Sequence, residues 1–301
     1  MADTSRALSQ SSENKVRSAL VTAFEQWTTP FDIKPEGVFG SVATLACGDV
    51  TISSKTLDFE FYVPFDDDME ANEAEIIIYN LSDNTIKQLK CGAALSISAG
   101  YADDTGVLFN GYITKVKTVR DGADKITTIF AMDDVKEHPL ESIAFAKGTT
   151  ASYILQTLLS KTGLPIAVFN ARRDHTYTDA QTVEGDLKEC ISQYAEVCGV
   201  SVYVNKGMIY ARYIKEGDNL NFEVSSDTGM IGSPESYTEE VKVEDFEETV
   251  NGFEVEMILQ HRMCAGAIVD LKSREATGTF RVCKGEHRFS PDEAITKIKM
   301  Y

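Results

Sequence analysis

The sequence predicts a mainly β protein of the α+β class, in which two small antiparallel β units flank an α+β unit and follow an N-terminal amphipathic helix. Apolar and polar residues alternate over residues 38–135 and again over 239–283, and this period of two is typical of strands with one buried face. Between these stretches lie two segments with helical periodicity and good capping residues. A chain of 301 residues is long enough for about two or three domains.

The N-terminal segment, residues 1–37, is predicted to be a helical arm. Four apolar residues recur at spacings of four, four and three, so they share one stripe of a helix that ends before the first proline. They are Val16, Leu20, Phe24 and Trp27. This stripe fits either the core of its own domain or a neighbouring subunit, and its four residues are therefore candidate interaction residues.

The first β unit is predicted over residues 38–140 as a small antiparallel barrel or sandwich. Alternation predicts a strand at residues 59–63, and an isoleucine run predicts one at 76–78. Four further strands are predicted at 95–97, 107–112, 116–119 and 126–132. Ser82 is a good N-cap for a short helix that turns Ile86 and Leu89 inward and stops at Cys91-Gly92. Asp121-Gly122 is a hairpin signal.

The α+β unit is predicted over residues 141–235. Thr149 and Thr150 cap a helix that carries Ile154, Leu155, Leu158 and Leu159 on one face and ends at Gly163. A second helix is predicted at 187–197, with Leu187, Ile191, Tyr194 and Cys198 on its stripe and Gly199 at its end. A hairpin follows, with strands 200–204 and 208–213 around the turn Asn205-Lys206-Gly207.

A second β unit is predicted over residues 236–301, after a polar connection at 216–236. Its strands are predicted at 239–248, 252–259, 267–271 and 279–283. The order of a β unit, an α+β unit and a β unit is compatible with two related barrels.

The composition excludes some classes of function. The net charge of -18 and the pI near 4.6 argue against a nucleic-acid-binding surface, because such affinity depends on lysine and arginine releasing counterions. The same charge also fits solubility alone.

The N-terminus lacks signal-peptide features, and no stretch approaches the ~20 apolar residues that span a bilayer. We therefore expect a chain made in the bacterial cytoplasm that binds no membrane and has six reduced cysteines without disulfides.

The sequence contains no short motif of a known catalytic mechanism, such as GxSxG, HExxH or a P-loop, and it predicts no cofactor. One acidic run resembles a calcium loop, but aligned on Asp66 its sixth position is Ala71 and its twelfth is Ile77, so a solvated loop is the better interpretation. The run comprises Asp66, Asp67, Asp68, Glu70, Glu73 and Glu75. A second acidic run is interpreted as a solvated strand; it comprises Glu239, Glu240, Glu244, Asp245, Glu247 and Glu248.

One set of residues has the composition of a structural zinc site. The pair His261-x-x-Cys264 is separated from the pair Cys283-x-x-x-His287 by eighteen residues. Together the two pairs supply two imidazoles and two thiolates. The spacing departs from the usual CxxC and HxxxH blocks, and Cys283 lies in an alternating strand where His287 need not face the same way. Buried cysteines with a capping or exposed histidine are the competing interpretation.

Several segments resemble the phage tail baseplate hub family, that is, contractile-tail hubs similar to late control protein D. The runs EIIIYNLSDNTIKQLKCGAALSISAGY and VLFNGYITKVKTVRDGADKITTIFAMDD resemble the first barrel of that family. ASYILQTLLSKTGLPI and EGDLKECISQYAEVCGVSVYVNKGMIYARY are similar to its middle domain, and GFEVEMILQHRMCAGAIVDL with GTFRVCKGEHRF to its closing barrel. The resemblance covers residues 38–288 in order. His261 and Cys264 stand in a loop where the family usually carries proline.

The resemblance implies a structural protein and not an enzyme. It implies two tube-type β-barrels per chain and a homotrimer, which would present six barrels to a sixfold tail tube and threefold symmetry to a trimeric spike. The implied partners are further copies of the chain, the tail tube protein, the spike protein and surrounding baseplate proteins, assembled in a virion or a phage-tail-like particle. An acidic chain also suits a conduit, since carboxylates repel DNA.

Two alternatives stay open at this stage. One is a tail-associated cell-wall hydrolase, which would need a sheltered acid, base or metal site. The other is a zinc-stabilised component of a tail or secretion spike, which would use the four residues His261, Cys264, Cys283 and His287. The resemblance does not separate a phage from a tailocin or another injection particle.

Overall fold

The computed structural model describes residues 40–101, 104–133, 139–243 and 246–301. Antiparallel strands dominate this part of the chain, and the helices are concentrated between two groups of strands. The predicted mainly β, α+β class is therefore confirmed. The predicted interaction stripe of Val16, Leu20, Phe24 and Trp27 lies outside the described residues. In the described ranges, no helix is both long enough and apolar enough to cross a bilayer.

The elements are as follows in chain order. The strands of the first group are β1 Ser41–Cys47, β2 Val50–Ser53, β3 Phe59–Phe65, β4 Glu73–Tyr79, β5 Ala94–Tyr101, β6 Asp104–Asp121 and β7 Asp124–Met132, with helix α1 Asp83–Ile86 after β4. The middle elements are β8 Pro139–Phe145, α2 Ala151–Lys161, β9 Ile166–Phe169, β10 Gln181–Asp186, α3 Leu187–Cys198, β11 Ser201–Asn205 and β12 Met208–Arg212. The last group contains β13 Asp218–Val224, a 3₁₀ turn at Ser226–Thr228, β14 Met230–Val243, β15 Phe246–Ile258, β16 Ala267–Lys272, β17 Thr277–Phe289 and β18 Ala294–Met300.

The two β units share one continuous set of ladders. The strand order is β14-β15-β18-β17-β3-β4-β7-β6-β5-β1-β2, and β16 pairs with both β17 and β13. The units meet where β17 runs antiparallel to β3, with His287 opposite Val63 and Phe289 opposite Phe61. The rings of Phe61 and Phe289 stack there with centroids 5.4 Å apart. Backbone hydrogen bonds and aromatic packing therefore join the first β unit, β1–β7, to the second, β13–β18.

The α+β unit, β8–β12 with α2 and α3, has its own small sheets. β8 pairs with β10, while β12 lies between antiparallel β11 and parallel β9. The two long helices begin as the sequence predicts: Thr150 accepts from the amide of Tyr153, and Asp186 accepts from that of Glu189. α3 ends at Gly199 in the left-handed conformation.

Each unit has a separate apolar core. The first core gathers β1–β7 around residues such as Leu45, Ile76 and Ile97, and it also includes Phe289 from β17. The core of the α+β unit contains the predicted helix faces. The third core gathers β13–β18 but also includes Tyr203 and Tyr210 from the α+β unit. Because the first and third cores each contain residues from a neighbouring unit, the units are in extensive contact. The domain bounds 1–37, 38–140, 141–235 and 236–301 stay a prediction.

The structure differs from the predicted elements at four places in the chain. Residues 107–112 and 116–119 belong to one strand, β6, which continues through a bulge between Ile113 and Lys115. The predicted strand 239–248 is divided between β14 and β15, whose connection lies outside the described residues. The polar connection 216–236 contains β13 and the start of β14. α1 ends at Ile86, because the amides of Gln88 and Leu89 form the tighter i to i−3 bonds.

Candidate functional site

The three units meet around the segment 259–266 between β15 and β16, which we call the central loop. Every residue of this loop is buried except Arg262, which is half-buried. Its side chains and carbonyl groups form hydrogen bonds with residues from all three units. Such a position makes the central loop the structural junction of the molecule.

The central loop binds the first β unit through Asp104, at the start of β6. Nε2 of His261 donates to Oδ1 of Asp104 at 3.0 Å, and Nη1 of Arg262 donates to its Oδ2 at 2.8 Å. Burial alone would raise the pKa of Asp104, but the two hydrogen bonds outweigh burial and hold that pKa well below its usual range. A Cβ at Gly106 would collide with the His261 ring. Glycine is therefore required there for the ring to pack against β6.

The central loop binds the α+β unit through the β11–β12 turn. Lys206 is 5% exposed, and its Nζ donates to the carbonyl of His261 at 2.6 Å. Burial lowers the pKa of Lys206. The carbonyl of Lys206 in turn accepts from Nδ2 of Asn110, on β6, at 3.0 Å. This one turn thus contacts both the central loop and the first β unit.

A second contact between the α+β and second β units lies at the C-terminal end of the loop. Arg212 on β12 donates to the hydroxyl of Tyr203 at 2.6 Å and forms an ion pair with Asp218 on β13 at 3.0 Å. The rings of Tyr203 and Tyr210 stack at 5.3 Å. A Cβ at Gly266 would collide with Arg212 and Tyr203, so this close approach requires glycine.

A buried ion pair links the first and second β units on the other side. Arg281 on β17 is 4% exposed and pairs with Asp67 in the β3–β4 loop, while its Nε donates to the carbonyl of Glu216 at 2.9 Å. Next to it, burial together with the charge of Asp68 raises the pKa of Asp66 to about 6. The interpretation of this acidic run as a solvated loop is therefore wrong for Asp67, although Asp68, Glu70, Glu73 and Glu75 are exposed.

The four residues considered for zinc are all buried and have protein partners. His261 binds Asp104, His287 is hydrogen-bonded through Nδ1 to Oγ1 of Thr296 at 2.8 Å, and the thiol of Cys283 donates to the carbonyl of Lys299 at 3.3 Å. Burial lowers the pKa of His287 to about 3 and raises the pKa of the Cys264 thiol. Within the described ranges, no group of three or more His, Cys, Asp or Glu side chains is placed to hold a metal ion. These side chains contribute packing and hydrogen bonds to the junction.

In the sequence, His261 stands out as a candidate zinc ligand, and no local pattern marks its hydrogen-bond partners. Asp104 and Lys206 lie 157 and 55 residues away from it along the chain. A lysine in a hairpin turn is ordinarily exposed, so no local pattern marks Lys206 as buried. Gly106 and Gly266 are the only local sequence signal of these contacts, since glycine within or just before a strand often marks a close approach of another segment.

Comparison with known proteins relates this architecture to phage tails. No protein-family model matches the sequence, and no curated protein does. Among solved structures, the chain aligns with the 43 kDa tail protein of prophage MuSo2 from Shewanella oneidensis at a TM-score of 0.61 and 8% identity, covering 86% of this chain and 97% of that one. It aligns with a tail protein of Neisseria meningitidis MC58 at a TM-score of 0.62 and 10% identity, covering 87% and 96%.

The chain has the fold of these tail proteins. The same fold extends to an E. coli component of the type VI secretion system that is itself similar to bacteriophage T4 tail proteins. That alignment has a TM-score of 0.58 at 9% identity and covers 85% of this chain and 76% of the other. The fold expected from the resemblance to tail hub proteins is therefore confirmed.

Proposed function

We propose that this chain is the structural hub of a contractile, phage-type tail baseplate. The observation that carries the proposal is the fold match to two tail proteins, which spans 86–87% of this chain and almost all of theirs. The role proposed is structural: the chain is a homotrimer that adapts a sixfold tail tube to a trimeric spike and forms part of the central conduit.

The junction supports this role, because an adaptor must hold its barrels in a fixed relation. Hydrogen bonds from the central loop, the buried Lys206 and the Arg281–Asp67 pair link the three units. His261, Lys206 and Arg281 are buried, and a polar contact of a buried group is costly to break. A molecule built in this way transmits force as one body.

The mass of the purified chain in solution tests the proposal. We expect light scattering to give three times the chain mass of 33.2 kDa, either alone or after mixing with the spike protein of the same particle. Zymography on bacterial cell wall tests the hydrolase alternative on the same sample. A monomer that binds no spike protein contradicts the hub, and clearing of cell wall by that monomer would establish the hydrolase.

A further inference from the structure

Two long hairpins each leave one strand edge open in the described part of the chain. β6 pairs with β5 only as far as Tyr112, so residues 114–121 pair with β7 alone. β14 pairs with β15 alone. We call residues 114–121 with 124–130 the basic ribbon, and residues 230–240 with 249–258 the acidic ribbon. An open edge presents backbone N–H and C=O groups that can pair with another strand.

The two ribbons carry opposite charge. The basic ribbon exposes Lys115, Lys117 and Arg120, with the exposed Asp121 and Asp124 beside the turn at its tip, in a chain whose net charge is -18. The acidic ribbon exposes Glu235 and Glu240, and neither has an ion-pair partner among the described residues. Lys117 likewise has no ion-pair partner within those ranges. Unpaired charge of opposite sign on two open edges is the arrangement that lets one edge recognise the other.

Each open strand also exposes an apolar side chain. Val119 on β6 is 44% exposed and Ile231 on β14 is 43% exposed. They are two of only four large hydrophobic side chains that are exposed in the described ranges. Burial of an exposed aliphatic side chain under a second strand stabilises the contact between the two strands.

We propose that the basic ribbon of one copy of this chain lies against the acidic ribbon of the next copy, edge to edge. The inference rests on the proposed homotrimer and names its contact surface. Because the two edges differ, the contact is head-to-tail, and in the proposed trimer its repetition by a threefold rotation closes a ring. Main-chain hydrogen bonds supply affinity, while the charges fix which edges meet.

Charge reversal tests the contact. One variant carries Lys117→Glu and Arg120→Glu, and a second carries Glu235→Lys and Glu240→Lys. We expect each variant to fall from the trimer mass to 33.2 kDa in light scattering, and the combination of all four substitutions to regain the trimer. The matched control reverses Lys147 and Glu184, two exposed residues of the α+β unit, as Lys147→Glu with Glu184→Lys, and should stay trimeric.

A second measurement does not depend on the stability of the trimer. Thr118 and Thr238 are exposed on the two ribbons, and Cys91 is the exposed native thiol. In a Cys91→Ser background, Thr118→Cys with Thr238→Cys should form covalent trimers on oxidation. Either cysteine alone faces a threonine of the next copy and should give no covalent cross-link between copies. Covalent trimers support the contact even where the free chain is monomeric.

The outcomes separate this inference from the proposed function. A wild-type trimer that survives both charge reversals, and that gives no covalent trimers with the two cysteines, overturns the ribbon contact and leaves the hub proposal standing. A wild-type chain that is monomeric, binds no spike protein and gives no covalent trimers contradicts both. Failure of the fourfold variant to reassemble while both double variants are monomeric also overturns the pairing of these two edges.

Discussion

At the scale of single residues, the junction is stabilised by polar groups that have lost water and gained protein partners. Asp104 and Asp66 show the two possible results for a carboxyl group. Asp104 is held ionised by hydrogen bonds from His261 and Arg262. Asp66 has no cationic partner among the described residues, and its pKa rises to about 6. A carboxyl group whose pKa is raised on folding lowers stability as the pH rises from its unfolded pKa through its folded pKa, and the loss is complete above the latter.

Removing the charge of Asp66 should therefore stabilise the protein at high pH. The folded pKa of about 6 lies above the ordinary value of 3.8, so the folded state binds a proton that the unfolded state lacks between these pH values, and stability falls as pH rises through about 6. We expect Asp66→Asn to raise Tm by about 2–4 °C at pH 8, with a much smaller change at pH 4.5.

Thermal denaturation at the two pH values measures this effect. Glu70→Gln removes an exposed carboxylate from the same loop and serves as the control, which should leave Tm unchanged at both pH values. A shift of equal size at pH 4.5 and pH 8 would show that ionisation of Asp66 is not the cause.

The close approach between Gly106 and His261 should appear as a coupling energy. Gly106→Ala places a Cβ against the imidazole, and overpacking of a filled site costs about 1–3 kcal/mol. In a His261→Ala background the ring is absent, so the same substitution should cost much less. A double-mutant cycle from urea unfolding gives the coupling directly. Equal costs in the two backgrounds would contradict the packing described here.

At the scale of elements, the β11–β12 turn is held by its backbone conformation and by its contact with β6. Lys206 and Gly207 have φ values of 51° and 76°, and a Cβ at Gly207 would lie 3.0 Å from the Cβ of Asn110. Gly122, in the β6–β7 turn, has a similar φ of 60° but no atom within 4 Å of such a Cβ. The two glycines therefore differ chiefly in their surroundings.

Alanine at these two positions should separate backbone strain from contact. Gly122→Ala should cost about 1 kcal/mol, the penalty of a left-handed conformation for a residue with a Cβ. Gly207→Ala should cost more, because the added methyl group also presses on Asn110. Urea denaturation of both variants measures the difference in the free energy of unfolding. If Gly207→Ala costs no more than Gly122→Ala, the turn is not packed tightly against β6.

Elements with a strong local signal were predictable from the sequence, and long-range ones were not. Capping residues and apolar stripes located α2 and α3, alternation located β3, and an isoleucine run located β4. β13 was missed because its asparagines favour turns, and Asn221 has a φ of 50° within the strand. β18 was missed although Thr296, Ile298 and Met300 alternate with lysines, a signal that was present.

The candidate site was less predictable than the fold. His261 and Cys264 stood out by residue type, and the sequence left a zinc site and buried cysteines with a capping or exposed histidine as competing interpretations. The structure instead shows His261 hydrogen-bonded through its ring to Asp104 and through its carbonyl to Lys206. Burial of Lys206 results from the docking of one unit on another, and no local pattern encodes docking. A single sequence therefore predicts secondary-structure elements, but it does not predict the contacts between the units.

At the scale of the whole molecule, three cores are connected by buried contacts. Separate domains joined by flexible linkers unfold in separate transitions. Here β17 pairs with β3 across the two β units, and Lys206 connects the α+β unit to the central loop. Loss of any one core would leave buried polar groups of another core without partners, at a cost of about 1–3 kcal/mol each.

We therefore expect the wild-type chain to unfold in one calorimetric transition. Lys206→Met keeps most of the side-chain volume and removes the donor to the His261 carbonyl, so it should weaken the connection without emptying either core. Differential scanning calorimetry of this variant should resolve a separate transition for the α+β unit. Lys161→Met, at an exposed position of α2, is the control and should keep a single transition. Two transitions in the wild type would mean that the units are thermodynamically independent. A single, unchanged transition in Lys206→Met would mean that the Arg212 contacts suffice to couple the α+β unit to the second β unit.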